Sequence, residues 1–169
     1  MIEAHTRINE APRDEAAGLL LQCCGSTRWV ERMLSLRPFA SVAHLHAAAD
    51  GACMDLRRDD LLEAFAHHPR LGADPARLRA RFAAPAWSSE EQSQVAQADE
   101  ATLDALQAGS AAYEARFGFV FLVCATGKGA GEILRLLEQR IGHDPETELR
   151  VAAIELAKIT HLRLDKLAA

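Results

Sequence analysis

At 169 residues, with 49% hydrophobic and 25% charged side chains, the chain has the balance of one globular domain, large enough to bury a core without disulfide or metal support. A net charge of −5, with basic residues scattered among acids, argues against the concentrated basic face of a nucleic-acid binder. No apolar run approaches the roughly 20 residues that cross a bilayer, and MIEAHTRINE lacks the basic-then-apolar start of a signal peptide, so the expectation is a soluble, cytoplasmic protein with no membrane partner.

Alanine and leucine dominate and β-branched residues are few, which predicts an all-α fold: a single compact helical domain over 1–169 with about eight helices. A helix is predicted over 12–24, opening on Pro12 with acids behind it and closing before Gly25. Ser26 caps a second helix through TRWVERML, ended before Pro38, and an alanine-rich third runs over 41–52. Asp59 or Asp60 caps the short helix DLLEAFAHH. Residues 70–87 hold two prolines and four arginines and read as a long surface connection with a short helical turn. Ser88 and Glu91 have capping-box spacing, opening a helix to about Ala108, with another over 110–117. Only 120–124 looks strand-like, and FGFVFLVCATGKG should run extended and buried before turning. Helices over 130–140 and from Asp144-Pro145 to about Leu167 complete the chain.

Three helices extend an apolar face into a charged or titratable residue. On DLLEAFAHH, Leu61 and Phe65 lie four apart and His68 follows three later, so His68 faces inward and His67 outward. Val95, Ala98 and Thr102 mark a face that steps back to Glu91 and Ser88, and Leu149, Ala152, Leu156 and Ile159 lead to Arg163. A buried unpaired charge is costly, so such residues should meet one another, a solvated cleft or a ligand. Each also has an ordinary reading: a histidine suits a helix C-terminus, Glu91 completes a capping box, and Arg163 can snorkel. From spacing alone the conclusion is a helical domain with a polar pocket.

Other candidates carry less. Cys23, Cys24, Cys53 and Cys124 include no CxxC pair and read as reduced, buried thiols, and nothing local would ionise Cys124. His44 and His46 point their rings apart on a helix and have no suitably spaced third ligand, so no metal site is expected. ATGKGAGE lacks the phosphate-loop arrangement.

HPRLG at 68–72, S-x-x-E-Q at 88–92, RFGFVFLVCA at 116–125 and KITHLRL at 158–164 occur in that order, behind CCGSTRWVERMLSLRPF. The ordered set resembles the 2-oxo-4-hydroxy-4-carboxy-5-ureidoimidazoline (OHCU) decarboxylases of urate breakdown, over about residues 8–164. The resemblance implies a cofactor-free carboxy-lyase, commonly a homodimer, that converts OHCU to (S)-allantoin. By motif, His68 would be the catalytic acid–base with Pro69 beside it. Ser88 and Gln92 would bind substrate and Glu91 would be the functional carboxylate. Phe121, Leu122, Val123, Cys124 and Ala125 would line the substrate, and Arg163 would be a charge partner.

The chain departs from the family pattern in having Val120 where a proline is frequent, HPRLG where many members read HPDL, and VAQ for the small-residue A-G-L after S-x-x-E-Q. None of these removes a catalytic group, and the absence of a peroxisomal tail fits a bacterial cytosolic protein. The competing readings are a decarboxylase or hydrolase for a related ureido or hydantoin acid, and a non-catalytic helical interaction module.

Overall fold

The computed structural model describes residues 1–72, 74–81 and 89–168, with the side chains at 81 and 89–99 left aside. Nine helices and no strand are present among the described residues: α1 Ala4–Glu10, α2 Arg13–Cys23, α3 Thr27–Ser35, α4 Val42–Met54, α5 Arg58–Ala66, α6 Pro75–Arg81, α7 Ser89–Phe117, α8 Ala130–Arg140 and α9 Pro145–Asp165. No helix among these residues is long and apolar enough to cross a membrane. The chain divides into two compact units, one formed by Met1–His68 with Arg150–Ala169 and the other by Pro69–Leu149.

Local chemistry accounts for most boundaries. Ser26 Oγ accepts the Trp29 N–H at 3.2 Å and Ser41 Oγ accepts the His44 N–H at 3.1 Å, the side-chain caps that start α3 and α4. Asp144 accepts from the Thr147 N–H at 3.0 Å and opens α9. At α5 the cap differs from the expectation: the helix starts after Arg57, and Asp60 is its third residue, accepting the Arg57 N–H at 2.9 Å. The carboxylate serves the helix start from inside the first turn.

Three expectations are corrected. Helix α1 lies where no helix was predicted; seven residues carry too little periodicity to register, and burial of Ala4 and Ile8 holds it. The two helices expected on either side of Gly109 are one. A Cβ on Gly109 would stand 2.8 Å from Leu137 Cδ2, so this glycine admits α8 rather than breaking α7. Residues 120–124 pair with no strand; Phe121 and Leu122 are buried in irregular chain between α7 and α8.

In the unit containing α1 to α5, Ile8, Leu20, Trp29, Met33, Leu45 and Phe65 are fully buried. Trp29 keeps its indole N–H satisfied by donating to Ala49 O at 3.2 Å. In the other unit, α7 buries Leu103, Leu106, Ser110, Tyr113 and Phe117 at alternating steps of three and four, with α8 packed along it.

Along α9 the buried positions are Glu148, Ala152, Leu156, Thr160 and Leu164, with Glu155 beside them. The predicted seam held Ala152 and Leu156 but continued through Ile159, which is only half-buried. The true line steps by four and includes two polar residues that apolar counting passes over. Thr160 is accommodated because its hydroxyl donates to Leu156 O at 2.8 Å.

Candidate active site

Helix α5 ends at Ala66 with His67 as its C-cap, so both histidines lie past the last helical residue. Their amides close a tightened final turn, His67 N–H to Ala64 O at 3.2 Å and His68 N–H to Phe65 O at 3.0 Å. The apolar face formed by Leu61 and Phe65 continues into His68, which is 9% exposed, while His67 lies on the surface.

Arg163 reaches the same place from the far end of the chain. Its Nη2 lies 3.4 Å from His68 Nδ1, and its Nη1 donates to Gln22 O at 3.2 Å. A guanidinium only donates, so Nδ1 accepts and the imidazole proton sits on Nε2. That Nε2 is buried and has no hydrogen-bond partner among the described residues. Burial, then the Arg163 charge, then His67 bring the His68 pKa down from 6.5 to about 4. The result is a neutral imidazole at physiological pH, with one nitrogen held by a cation and the other without a partner among the described residues. A buried ring N–H loses its hydration and calls for an acceptor, which a bound ligand can supply.

The thiols nearby are inert. Burial pushes Cys23 and Cys53 up to about 12 and Cys24 to about 11, so all three stay protonated. All four cysteines are free. His44 and His46 diverge as expected: His44 Nδ1 accepts the Ala40 N–H, whereas the His46 ring packs 4.3 Å from that of His161. Among the described residues no three His, Cys, Asp or Glu side chains gather as a metal site.

In the second unit, Phe121 and Leu122 are buried and Val123, Cys124 and Ala125 partly exposed. Three of their carbonyls are occupied: Leu122 O accepts from Arg140 Nη1 at 2.6 Å, Cys124 O from Lys128 Nζ at 3.0 Å and Ala125 O from the Lys128 N–H at 3.0 Å. Arg140 is 5% exposed and is neutralised by Glu148, whose Oε1 accepts from its Nε at 2.8 Å and its Nη2 at 2.6 Å. Tyr113 OH also donates to that carboxylate, and His143 Nδ1 lies 2.9 Å from its other oxygen. The Arg140 guanidinium stands 4.5 Å over the Phe121 ring.

This buried network was not singled out from the sequence. On α8 the buried stripe Ala130, Ile133, Leu137 runs at helical spacing into Arg140, the same pattern of an apolar face ending in a charge that marks His68. Applied to α8, that rule would have found Arg140.

Of the residues expected at the site, the structure brings His68 and Arg163 together. Pro69 lines a cleft of about 340 Å³ with Arg70, Gly72, Asp74 and Arg77 among its walls. Glu91 and Gln92 lie in α7, with side chains outside the described residues, and Ser88 lies outside them altogether.

The sequence model of a family described as OHCU decarboxylase matches residues 9–165. The chain belongs to the OHCU decarboxylase family. It is 34% identical over 146 residues to the uric acid degradation bifunctional protein TTL of Arabidopsis thaliana, covering 86% of this chain and 45% of that protein. The chain thus spans less than half the length of that relative. It is 30% identical over 137 residues to an OHCU decarboxylase of Haloferax volcanii, covering 80% of this chain and 79% of the relative. Its fold matches a crystal structure of OHCU decarboxylase in the presence of (S)-allantoin with a TM-score of 0.71 at 29% identity, over 93% of this chain and 98% of that one.

Proposed function

We propose that this chain catalyses the stereospecific decarboxylation of OHCU to (S)-allantoin in urate breakdown, with His68 as the acid–base group. One observation carries the reading within a family match over 9–165: a buried, neutral imidazole that meets Arg163 through Nδ1 and whose Nε2 has no partner among the described residues.

OHCU carries a carboxylate and a hydroxyl on one carbon, next to an imidazoline ring. Cleavage of the bond to the carboxylate releases carbon dioxide and pushes its electron pair through the ring C=N bond to nitrogen, which takes a proton from solvent and leaves an enol. The hydroxyl proton must leave to form the ring carbonyl, and a proton must be added to the neighbouring carbon on one face. The ring itself holds the electrons, so the reaction is proposed to run without a metal or organic cofactor.

His68 takes the hydroxyl proton and supplies the one delivered to carbon. In the ligand-free protein the Arg163 contact keeps the imidazole proton on Nε2. When Arg163 turns to the substrate carboxylate, Nδ1 is released, the other tautomer forms, and Nε2 becomes the base. The incoming carboxylate also raises the histidine pKa from its depressed value toward a useful range. Glu91 is assigned the hydroxyl or ureido side of the substrate by its motif, and Ser88 and Gln92 are assigned binding. The chain at 121–125 is assigned the ring by its motif, with its carbonyls at 122, 124 and 125 already bonded. The working form is proposed to be a cytoplasmic homodimer.

The test generates OHCU from urate with urate oxidase and hydroxyisourate hydrolase and follows circular dichroism, in the presence of a chelator. Rapid growth of the (S)-allantoin signal is expected, and His68→Ala should abolish chiral product while far-ultraviolet spectra stay helical. An optically silent trace, no faster than spontaneous decay, would exclude this activity.

A further inference from the structure

The end of α2 and the turn into α3 meet Arg163 and His67, the residue before His68. Gln22 O accepts from Arg163 Nη1 at 3.2 Å. Three residues on, a Cβ added to Gly25 would lie 2.4 Å from Cγ, 2.5 Å from Cβ and 2.6 Å from Nδ1 of His67. Gly25 has no left-handed φ, so the approach of His67, not the backbone conformation, demands glycine here. Thr27 binds the same turn to α5: its N–H and hydroxyl donate to the Glu63 carboxylate at 3.2 and 2.5 Å. His67 Nδ1 lies 3.0 Å from Glu63 O.

We propose that residues 22–27 form a seat for the His68–Arg163 pair, in which Gly25 and His67 are positioning residues that set where His68 stands. The proposal rests on the role given to His68 above. A Cβ is fixed to its own backbone, and rotating the His67 ring moves Nδ1 but leaves Cβ in place. A side chain at position 25 therefore displaces the main chain of residue 67, and His68 is the next residue. The turn cannot retreat to absorb the clash. Ser26 Oγ caps α3 through the fully buried Trp29, and Thr27 is tied to Glu63. Arg163 meanwhile stays anchored on Gln22 O. At 3.4 Å the His68–Arg163 contact is already at the outer limit of a hydrogen bond, so a shift of about 1 Å breaks it.

The test is a set of second-site variants. Gly25→Ala is expected to lose kcat on the order of 100-fold, the scale of a 1 Å misplacement, with KM little changed and helicity retained. The His68 imidazole, followed by NMR, should titrate closer to the ordinary histidine range than its native value of about 4. His67→Gly removes both ring and Cβ and should restore kcat to Gly25→Ala, with the His68 titration returned to that of the His67→Gly single variant. His67→Ala keeps the Cβ and should not.

If Gly25→Ala alone does not fold, the two double variants carry the comparison. A folded Gly25→Ala/His67→Gly protein that titrates as the His67→Gly single variant does, beside a defective Gly25→Ala/His67→Ala protein, supports the seat. Native kcat and titration in Gly25→Ala would overturn it. So would equal rescue by both His67 variants, or a Gly25→Ala/His67→Gly protein that is inactive or unfolded. Failure of the catalytic reading is separable: His68→Ala would then keep stereospecific activity, while the His68 titration would still report the seat.

Discussion

His68 is neutral because its charged form loses hydration on burial and meets a guanidinium at 3.4 Å. Two pH dependences follow. For catalysis, kcat/KM reports the free enzyme. It is expected to stay level as pH falls through 6.5 and to drop only near 4, the depressed pKa of His68. A profile that halves near 6.5 would show that His68 is not held this way. For stability, the unfolded chain takes up a proton at His68 near pH 6.5 and the folded chain only near 4. Stability should therefore fall as pH decreases across that window and level off below it, a loss of about 1–3 kcal/mol. Urea titrations at pH 7, 5.5 and 4 measure the slope, and His68→Ala should make it shallower by the share that His68 contributes.

At the scale of the element, α7 shows how a residue that disfavours helix sits inside one. Gly109 costs about 1 kcal/mol of propensity relative to alanine, and in return Leu137 of α8 approaches to where a Cβ would stand, 2.8 Å from its Cδ2. Gly109→Ala should accordingly destabilise the native protein by about 1 kcal/mol, overpacking outweighing the propensity gain. In a Leu137→Ala background the same change should stabilise, because the obstruction is gone and only propensity remains. Chemical denaturation of the four proteins in this cycle gives the coupling directly. A stabilising Gly109→Ala in the native background would mean that α8 yields freely. Sequence periodicity located α7 yet divided it at this glycine, since nothing local distinguishes a glycine that ends a helix from one that admits a neighbour.

At the scale of the whole molecule, a buried ion pair anchors the unit formed by Pro69–Leu149. Arg140 and Glu148 are 5% and 0% exposed, Leu122 O also accepts from the arginine, and Tyr113 and His143 also meet the carboxylate. Removing one member of such a pair strands the other, at about 3–5 kcal/mol, a large share of the roughly 5–15 kcal/mol that keeps a domain folded. Arg140→Met should therefore lower the urea midpoint sharply. The double change Arg140→Met with Glu148→Leu should cost much less than the sum of its single changes. Strict additivity would show that the pair is not coupled. The network also bonds Leu122 O, so global stability and the placement of 121–125 depend on the same arginine.

The sequence by itself determined the all-α class, the caps at Ser26 and Asp144, the inward turn of His68 with His67 on the surface, and the ordered motifs of the OHCU decarboxylase family. These are legible because they are set by neighbours within a turn or two of helix, where spacing dictates direction. Only the tertiary structure decided that Arg163 meets His68 across 95 residues, that Glu148 and not Leu149 lies on the buried line of α9, and that Gly25 is required by His67. Those outcomes depend on which helix packs against which, and on whether a buried polar group finds its partner there. Local periodicity carries no record of that.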